Sequence, residues 1–177
     1  MQVGAWLFKH RGWLPVPLLL AMLTARPRFW EGLALWVAGE AVRLWAVGHI
    51  GLPSRTRGDG VAGLVDTGPY ARLRNPLYVG NLLLWAGLGV VLWPWALVAV
   101  PLLAVYYARI VAWEEENLLS RIGAPYAAYC ARVPRWLPTG VPRPGRWDLA
   151  RALRSERSTL LALAVVLALL FARDALG

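Results

Sequence analysis

The sequence predicts an all-α fold, an integral membrane helical bundle of about five crossings in which two neighbouring helices form a tight hairpin. Three observations predict it. The chain of 177 residues is 58% hydrophobic and only 16% charged, against about 25% charged residues in an average soluble domain. Its mean hydropathy is +0.47. Residues 77–108 contain no Asp, Glu, Lys or Arg, and as one helix they would run roughly 48 Å, too long for a single ~30 Å hydrocarbon core. This composition excludes intrinsic disorder. A lone cysteine, Cys130, excludes a disulfide-stapled secreted fold and reads as a small buried side chain.

The first apolar run, residues 12–25 with 4–8 leading in, is expected to make one thin crossing. It lacks a small-x-small cleavage site before Arg26, so a removable signal peptide is the weaker reading. The second run, 29–52, is interrupted by Glu40 and Arg43, which share a helix face. Each would cost about 2.5–3.5 kcal/mol if left alone in lipid, so they are expected to face the bundle interior or each other. The charge-free third run carries Trp93-Pro94-Trp95 near its midpoint. Proline breaks a helix and indoles suit an interface, so the run reads as a hairpin of helices 77–92 and 95–113. The last run, 158–172, is short and flanked by Arg157 and Arg173, which can snorkel at its ends. It reads as an anchor.

Five crossings leave only Arg26, Arg28 and Arg173 on one side and Arg43 and Arg109 within the membrane, with the rest of the 19 Lys and Arg on the other side. The positive-inside rule then puts the amino terminus and the loops 53–75 and 114–156 in the cytoplasm and the carboxyl terminus opposite. The net charge of +9 is a topology signal that also suits membrane lipids, and it needs no nucleic acid.

Several chemistries lack their residues. His10 and His49 have no partner at metal-ligand spacing, so no metal site is expected. No Ser-His-Asp or Cys-His arrangement and no phosphate-binding loop is present. Gly87-Leu88-Gly89 inside an apolar helix reads as close helix packing.

Two polar clusters remain, one at each end of the hairpin. The first runs Gly68-Pro69-Tyr70-Ala71-Arg72-Leu73-Arg74-Asn75-Pro76-Leu77-Tyr78-Val79-Gly80. Pro76 suits a first helical position, Asn75 can cap the free amides, and Gly80 permits close approach of a ligand or helix. Arg74 and Tyr78, four apart, share a face. The second runs Trp113-Glu114-Glu115-Glu116-Asn117-Leu118-Leu119-Ser120-Arg121-Ile122-Gly123, then Tyr126, Tyr129 and Val133-Pro134-Arg135-Trp136-Leu137-Pro138. Three carboxylates at a helix carboxyl end oppose the macrodipole and call for compensation, from Arg109, Arg121 or loop arginines, or from a cationic ligand. About 100° separates successive residues, so only one or two of them look inward.

Together these clusters resemble the isoprenylcysteine carboxyl methyltransferase and phospholipid methyltransferase superfamily. The matching pattern is GPY…R-[HN]-P-x-Y-x-G followed by E-E-x-x-L-x-x-x-[FI]-G-x-x-Y-x-x-Y-x-x-x-V-P-R-x-L-P, filled over residues 65–138 of a single domain. Asn75 stands where the carboxyl methyltransferases proper have histidine. The resemblance implies S-adenosylmethionine as methyl donor in a cytoplasm-facing pocket and a lipophilic small-molecule, prenylated or lipid substrate entering from the bilayer. Glu115 with Glu114 would meet the donor ammonium and Arg135 its carboxylate. Tyr126 or Tyr129 would line the adenosine pocket, and Pro138 would also belong to the donor site. Arg74 and Tyr78 would orient the acceptor, beside Asn75, Gly80 and Arg109, and Glu116 or Tyr78 would serve as base. Methyl transfer needs alignment and a dry site rather than a covalent nucleophile. O-methylation of a carboxylate leads; N-methylation of a phospholipid amine, a nonenzymatic lipid-binding bundle and a sterol-type reductase are the alternatives. On this division of roles, Arg74→Ala is expected to abolish turnover while leaving donor binding within about tenfold.

Overall fold

The computed structural model describes residues 2–25, 29–50 and 64–176. Arg26, Arg28 and the Gly- and Asp-containing loop at 53–63 lie outside the described residues. The described chain is all-helical apart from turns and one isolated bridge: α1 (Gln2–Lys9), α2 (Val16–Met22), α3 (Phe29–Ile50), a short 3-10 turn (Pro69–Ala71), α4 (Pro76–Val91), α5 (Ala96–Ile122), α6 (Ala124–Arg132) and α7 (Leu149–Leu176). Of these, α3, α5 and α7 are long and apolar enough to cross a membrane, and α4 is a shorter apolar helix.

The hairpin is present as the sequence predicts. α4 and α5 turn at Trp93-Pro94, and Gly89 brings α4 so close to α5 that a Cβ there would lie 2.6 Å from Ala96 Cα. α5 then runs past Trp113 through all three glutamates to Gly123, whose φ of +71° ends the helix while its N–H bonds the Leu119 carbonyl at 2.9 Å.

The first crossing is different from the expected single span. Residues 10–15 break it, so α1 and α2 are two short helices of 8 and 7 residues. Three turn bonds, Trp13 N and Leu14 N to His10 O and Val16 N to Trp13 O, replace the helical ladder there. α1 packs on α5, with Phe8 and Trp113 rings 5.0 Å apart, while Met22 enters the core at the far end beside Leu170. The last helix also departs from expectation. It starts at Leu149, nine residues before the apolar run, because Asp148 caps it by accepting the Arg151 N–H at 2.9 Å. That bond holds the Asp148 carboxyl below its usual range.

α3 and α4 are the most closely packed pair, and glycines seven apart on each helix explain why. A Cβ on Gly39 would lie 2.8 Å from the Gly80 carbonyl oxygen, and one on Gly87 would lie 2.9 Å from the Gly32 carbonyl oxygen and 2.5 Å from Trp36 Cδ1. Gly80 is packed closely against α3: its Cβ would meet Arg43 Cγ at 2.5 Å. Gly87→Leu is expected to lower stability by at least the ~1–3 kcal/mol of ordinary overpacking, because the blocking atom is backbone. Thermal unfolding in detergent checks this against Gly12→Ala, where nothing lies within 4 Å.

Glu40 and Arg43 face inward, as expected. Arg43 hydrogen-bonds Asn81 of α4 and Glu156 of α7, donates to Thr159 Oγ1 at 3.0 Å, and lies 3.5 Å from Glu40. Glu156 is fully buried. α7 is thus joined to α3 and α4 by a charge network, not merely an anchor.

Candidate active site

Glu115 organises the end of the bundle where α4 begins and α5 ends. It lies on the inward face of α5 and is buried. Five N–H contacts from two separate segments reach its carboxylate. Arg74 supplies Nε to Oε1 at 3.1 Å and Nη2 to Oε2 at 3.2 Å. Asn75 Nδ2 donates to Oε1 at 2.8 Å. Arg135 gives Nε at 3.0 Å and Nη2 at 2.7 Å, both to Oε2. The third N–H group of Arg74, Nη1, donates to the Cys130 carbonyl at 3.0 Å.

Local backbone geometry sets these side chains. Pro76 starts α4, and the Asn75 carbonyl accepts Tyr78 N and Val79 N at 3.2 Å. The Asn75 side chain makes no capping bond, contrary to the sequence expectation, and its Nδ2 is turned toward Glu115 instead. After α6 the extended chain crosses back over the first motif: Arg74 N donates to Pro134 O at 2.9 Å and Thr139 N to Arg72 O at 3.0 Å. A further tie lies beyond, with Gly68 N on Arg143 O at 2.8 Å and the Arg143 guanidinium on Asp66 at 2.8 Å.

The α6 tyrosines pack behind this network. Tyr126 and Tyr129 are buried with Val133, and Tyr129 donates its hydroxyl to the Tyr70 carbonyl at 2.8 Å. Burial pushes both phenols well above their ordinary range, so they stay neutral. The Glu115 hydrogen bonds raise Arg135 further. Two guanidiniums on one carboxylate leave the cluster with one positive charge in excess, and the Arg135 side chain is 43% exposed while that of Arg74 is 13% exposed.

The three glutamates point three ways, as about 100° of rotation per residue demands. Glu115 meets the arginines. Glu114 lies on the Tyr78 side of α5. Tyr78 in turn packs on Tyr107 with rings 5.3 Å apart. Glu116 is exposed, while Tyr78 and Glu114 are partly buried. Arg109 is exposed too; six residues before Glu115, it faces roughly 240° away around α5. Pro138 is exposed at the rim.

Sequence reasoning put Arg74 and Glu115 in separate subsites; the structure joins them directly. It missed Asn81 and Glu156 as partners of Arg43. A signal existed for the second, since Glu156 is the acid inside an otherwise basic stretch that Asp148 caps. A cleft of about 700 Å³ opens at this end of the bundle between His49, Asp66, Thr67, Arg146, Trp147 and Arg151. Among the described residues no group of three His, Cys, Asp or Glu is placed to hold a metal ion.

Comparison with known proteins adds to this geometry. A family profile described as "Phospholipid methyltransferase" matches residues 27–123, from α3 through the end of α5. The chain is 32% identical over 126 residues to the nickel-cobalt-cadmium resistance protein NccN of Alcaligenes xylosoxydans xylosoxydans, covering 68% of this chain and 59% of that protein. It is 34% identical over 156 residues to the cobalt-zinc-cadmium resistance protein CzcN of Cupriavidus metallidurans, covering 77% of this chain and 63% of that protein. The matched part of the chain thus spans about three fifths of each relative's length.

Proposed function

This chain belongs to the phospholipid methyltransferase family, and from that premise we propose that it transfers a methyl group from S-adenosylmethionine to a lipophilic carboxylate at the membrane, forming a methyl ester. The observation that carries the reading is the convergence on Glu115 of Arg74, Asn75 and Arg135, which lie 41, 40 and 20 residues away in sequence. Both family motifs meet there at one end of the hairpin, as a shared site requires.

The cap suits the donor by its chemistry. A cluster with one cation in excess and a half-exposed guanidinium takes a carboxylate, and Arg135 is the residue to hold it. Glu115 is already surrounded by N–H groups, so its role is to fix Arg135 and Arg74 in place. Glu114, beside Tyr78, offers carboxylate oxygens to an ammonium. Tyr126 supplies a neutral aromatic wall. When bound, S-adenosylmethionine supplies an electrophilic methyl carbon on a sulfonium. The protein's part is to align an acceptor in line with it and to exclude water. Tyr78, against Tyr107 and one turn inside α4, borders the side from which a lipophilic acceptor would approach. The arginine distribution supports placing this end in the cytoplasm with the amino terminus, and the carboxyl terminus across the membrane.

A second reading, N-methylation of a phospholipid amine, is favoured by one observation. Glu114 beside Tyr78 is a carboxylate placed to take the proton that an amine must lose. One experiment separates these readings. Detergent-purified protein is incubated with donor carrying a labelled methyl group, bound label is measured, and lipids are extracted and treated with base. Bound donor, weakened at least tenfold by Glu115→Gln, and base-released volatile methanol are expected. Base-stable label in a lipid amine would replace the ester reading with the amine reading. No donor binding at all would leave a nonenzymatic lipid-binding bundle.

A further inference from the structure

We propose that Arg11, on the turn between α1 and α2, is the residue that holds the anionic head of the acceptor. The inference deepens the methyltransferase reading and rests on it. It concerns a part of the chain outside the residues 27–123 matched by the family profile.

Three other candidate cations, Arg74, Arg43 and Arg109, are committed or face elsewhere. Arg74 gives Nε, Nη1 and Nη2 to Glu115 and the Cys130 carbonyl. Arg43 gives both terminal nitrogens to Asn81, Glu156 and Thr159. Arg109 is exposed on another face of α5. An anionic acceptor brought to Tyr78 and Glu114 needs a cation there, both to bind it and to offset the nearby carboxylate.

Arg11 is that cation. Its guanidinium lies 3.8 Å over the Phe8 ring, and Nη1 donates to the Phe8 carbonyl at 2.9 Å, which fixes its position while the side chain stays exposed. An unbroken path of contacts leads inward from it. Phe8 packs on Trp113 at 5.0 Å, next in sequence to Glu114. Tyr106 donates to the Leu7 carbonyl at 3.3 Å and packs on Tyr107 at 5.2 Å, and Tyr107 packs on Tyr78 at 5.3 Å. Phe8, on which Arg11 stacks, thus ties it to the turn of α5 that carries Glu114. α1 is seated tightly enough to hold this geometry: a Cβ on Gly4 would lie 3.1 Å from both the Arg109 carbonyl oxygen and Trp113 Cγ. The result is a run of packed aromatic rings that leads from an exposed cation at the α1–α2 turn to Tyr78.

The ligand that suits a cation at the lipid border beside aromatic rings is a lipophilic carboxylate. In the reaction, a carboxylate oxygen forms the new bond to the methyl carbon while the carbon–sulfur bond breaks. Its electron pair stays on sulfur, the donor becomes a neutral thioether, and no proton moves. Arg11 binds the head group and releases it once esterification has removed its charge.

The test uses full-length protein in nanodiscs and 16-doxyl-stearate, a spin-labelled fatty acid whose immobilisation is read by electron paramagnetic resonance without any turnover. Arg11→Gln is expected to weaken its binding at least tenfold, an effect of about 1.4 kcal/mol, and Arg11→Lys to restore part of it. Lys9→Gln, an exposed neighbouring cation, and the uncharged methyl ester of the probe are expected to show little change. Labelled-donor binding should stay within about threefold in Arg11→Gln, with the loss in the acceptor KM. Wild-type binding of the probe by Arg11→Gln, or equal loss for the probe and its ester, overturns the proposal. If no variant binds the donor but the probe still depends on Arg11, the methyltransferase reading falls and the anion site stands.

Discussion

Arg74→Ala is expected to lose donor binding and turnover together, each by well over tenfold, instead of turnover alone. Arg74 does not stand apart as an acceptor contact. It makes two of the N–H contacts to the Glu115 carboxylate and the one to the Cys130 carbonyl, so a single truncation removes three polar contacts at a side chain that is 13% exposed. Breaking a buried ion pair costs about 3–5 kcal/mol when the remaining charge has no other partner. Here Arg135 and Asn75 stay on Glu115, and Arg135 is 43% exposed and screened by solvent, so about 2–3 kcal/mol is the expected cost, roughly 30- to 150-fold. Arg74→Lys is expected to recover little, because an ammonium does not reproduce a fork that spans a carboxylate and a carbonyl. Titration of labelled donor into detergent-purified variants, alongside turnover, checks this. Donor affinity within tenfold of wild type with turnover abolished would restore the separate acceptor subsite and remove Arg74 from the donor cap.

The second large effect lies deeper in the bundle. Arg43→Met is expected to destabilise the protein by about 3–5 kcal/mol, because it removes the cation that faces both Glu156, at zero exposure, and Glu40. The cost is one of uncompensated charge, not of lost packing, and that distinction is testable. The triple change Glu40→Gln, Arg43→Met, Glu156→Gln removes all three charges, and it is expected to regain most of the loss, since buried ion networks replaced as a whole are often near neutral. Denaturant titration in mixed micelles measures both variants. If the single change unfolds at the wild-type midpoint, the Arg43 network contributes nothing to holding α7 on α3, and the carboxyl-terminal helix returns to being a plain anchor.

How far these sites were legible in advance differs residue by residue. The Glu40–Arg43 spacing marked an inward face, and the structure has both side chains inward. Their main partner, Glu156, lies 113 residues from Arg43, and no local periodicity connects the two. The glutamate run predicted one or two inward carboxylates and three directions, which is what α5 shows. The same reading could not say that Glu115 meets Arg74 while Glu114 meets Tyr78, since that depends on the rotation of α5 against α4. The amino-terminal run looked like one crossing because hydropathy sums over residues, whereas the bonds at 10–15 break the helix into two.

By itself, then, the sequence determined the solvent, the helical class, the hairpin and the two polar motifs. Each of these follows from quantities local in the chain: the free energy of putting charge in lipid, the missing N–H of Pro94, and a repeat of 3.6 residues that assigns faces. Tertiary structure alone decided which faces meet. The approach of α3 to α4 over Gly32, Gly39, Gly80 and Gly87 brings Arg43 beside Asn81. The return of the chain after α6 carries Arg135 onto Glu115. Periodicity names the side of a helix that is buried, but the register between helices comes from close packing of backbones, which no single segment encodes.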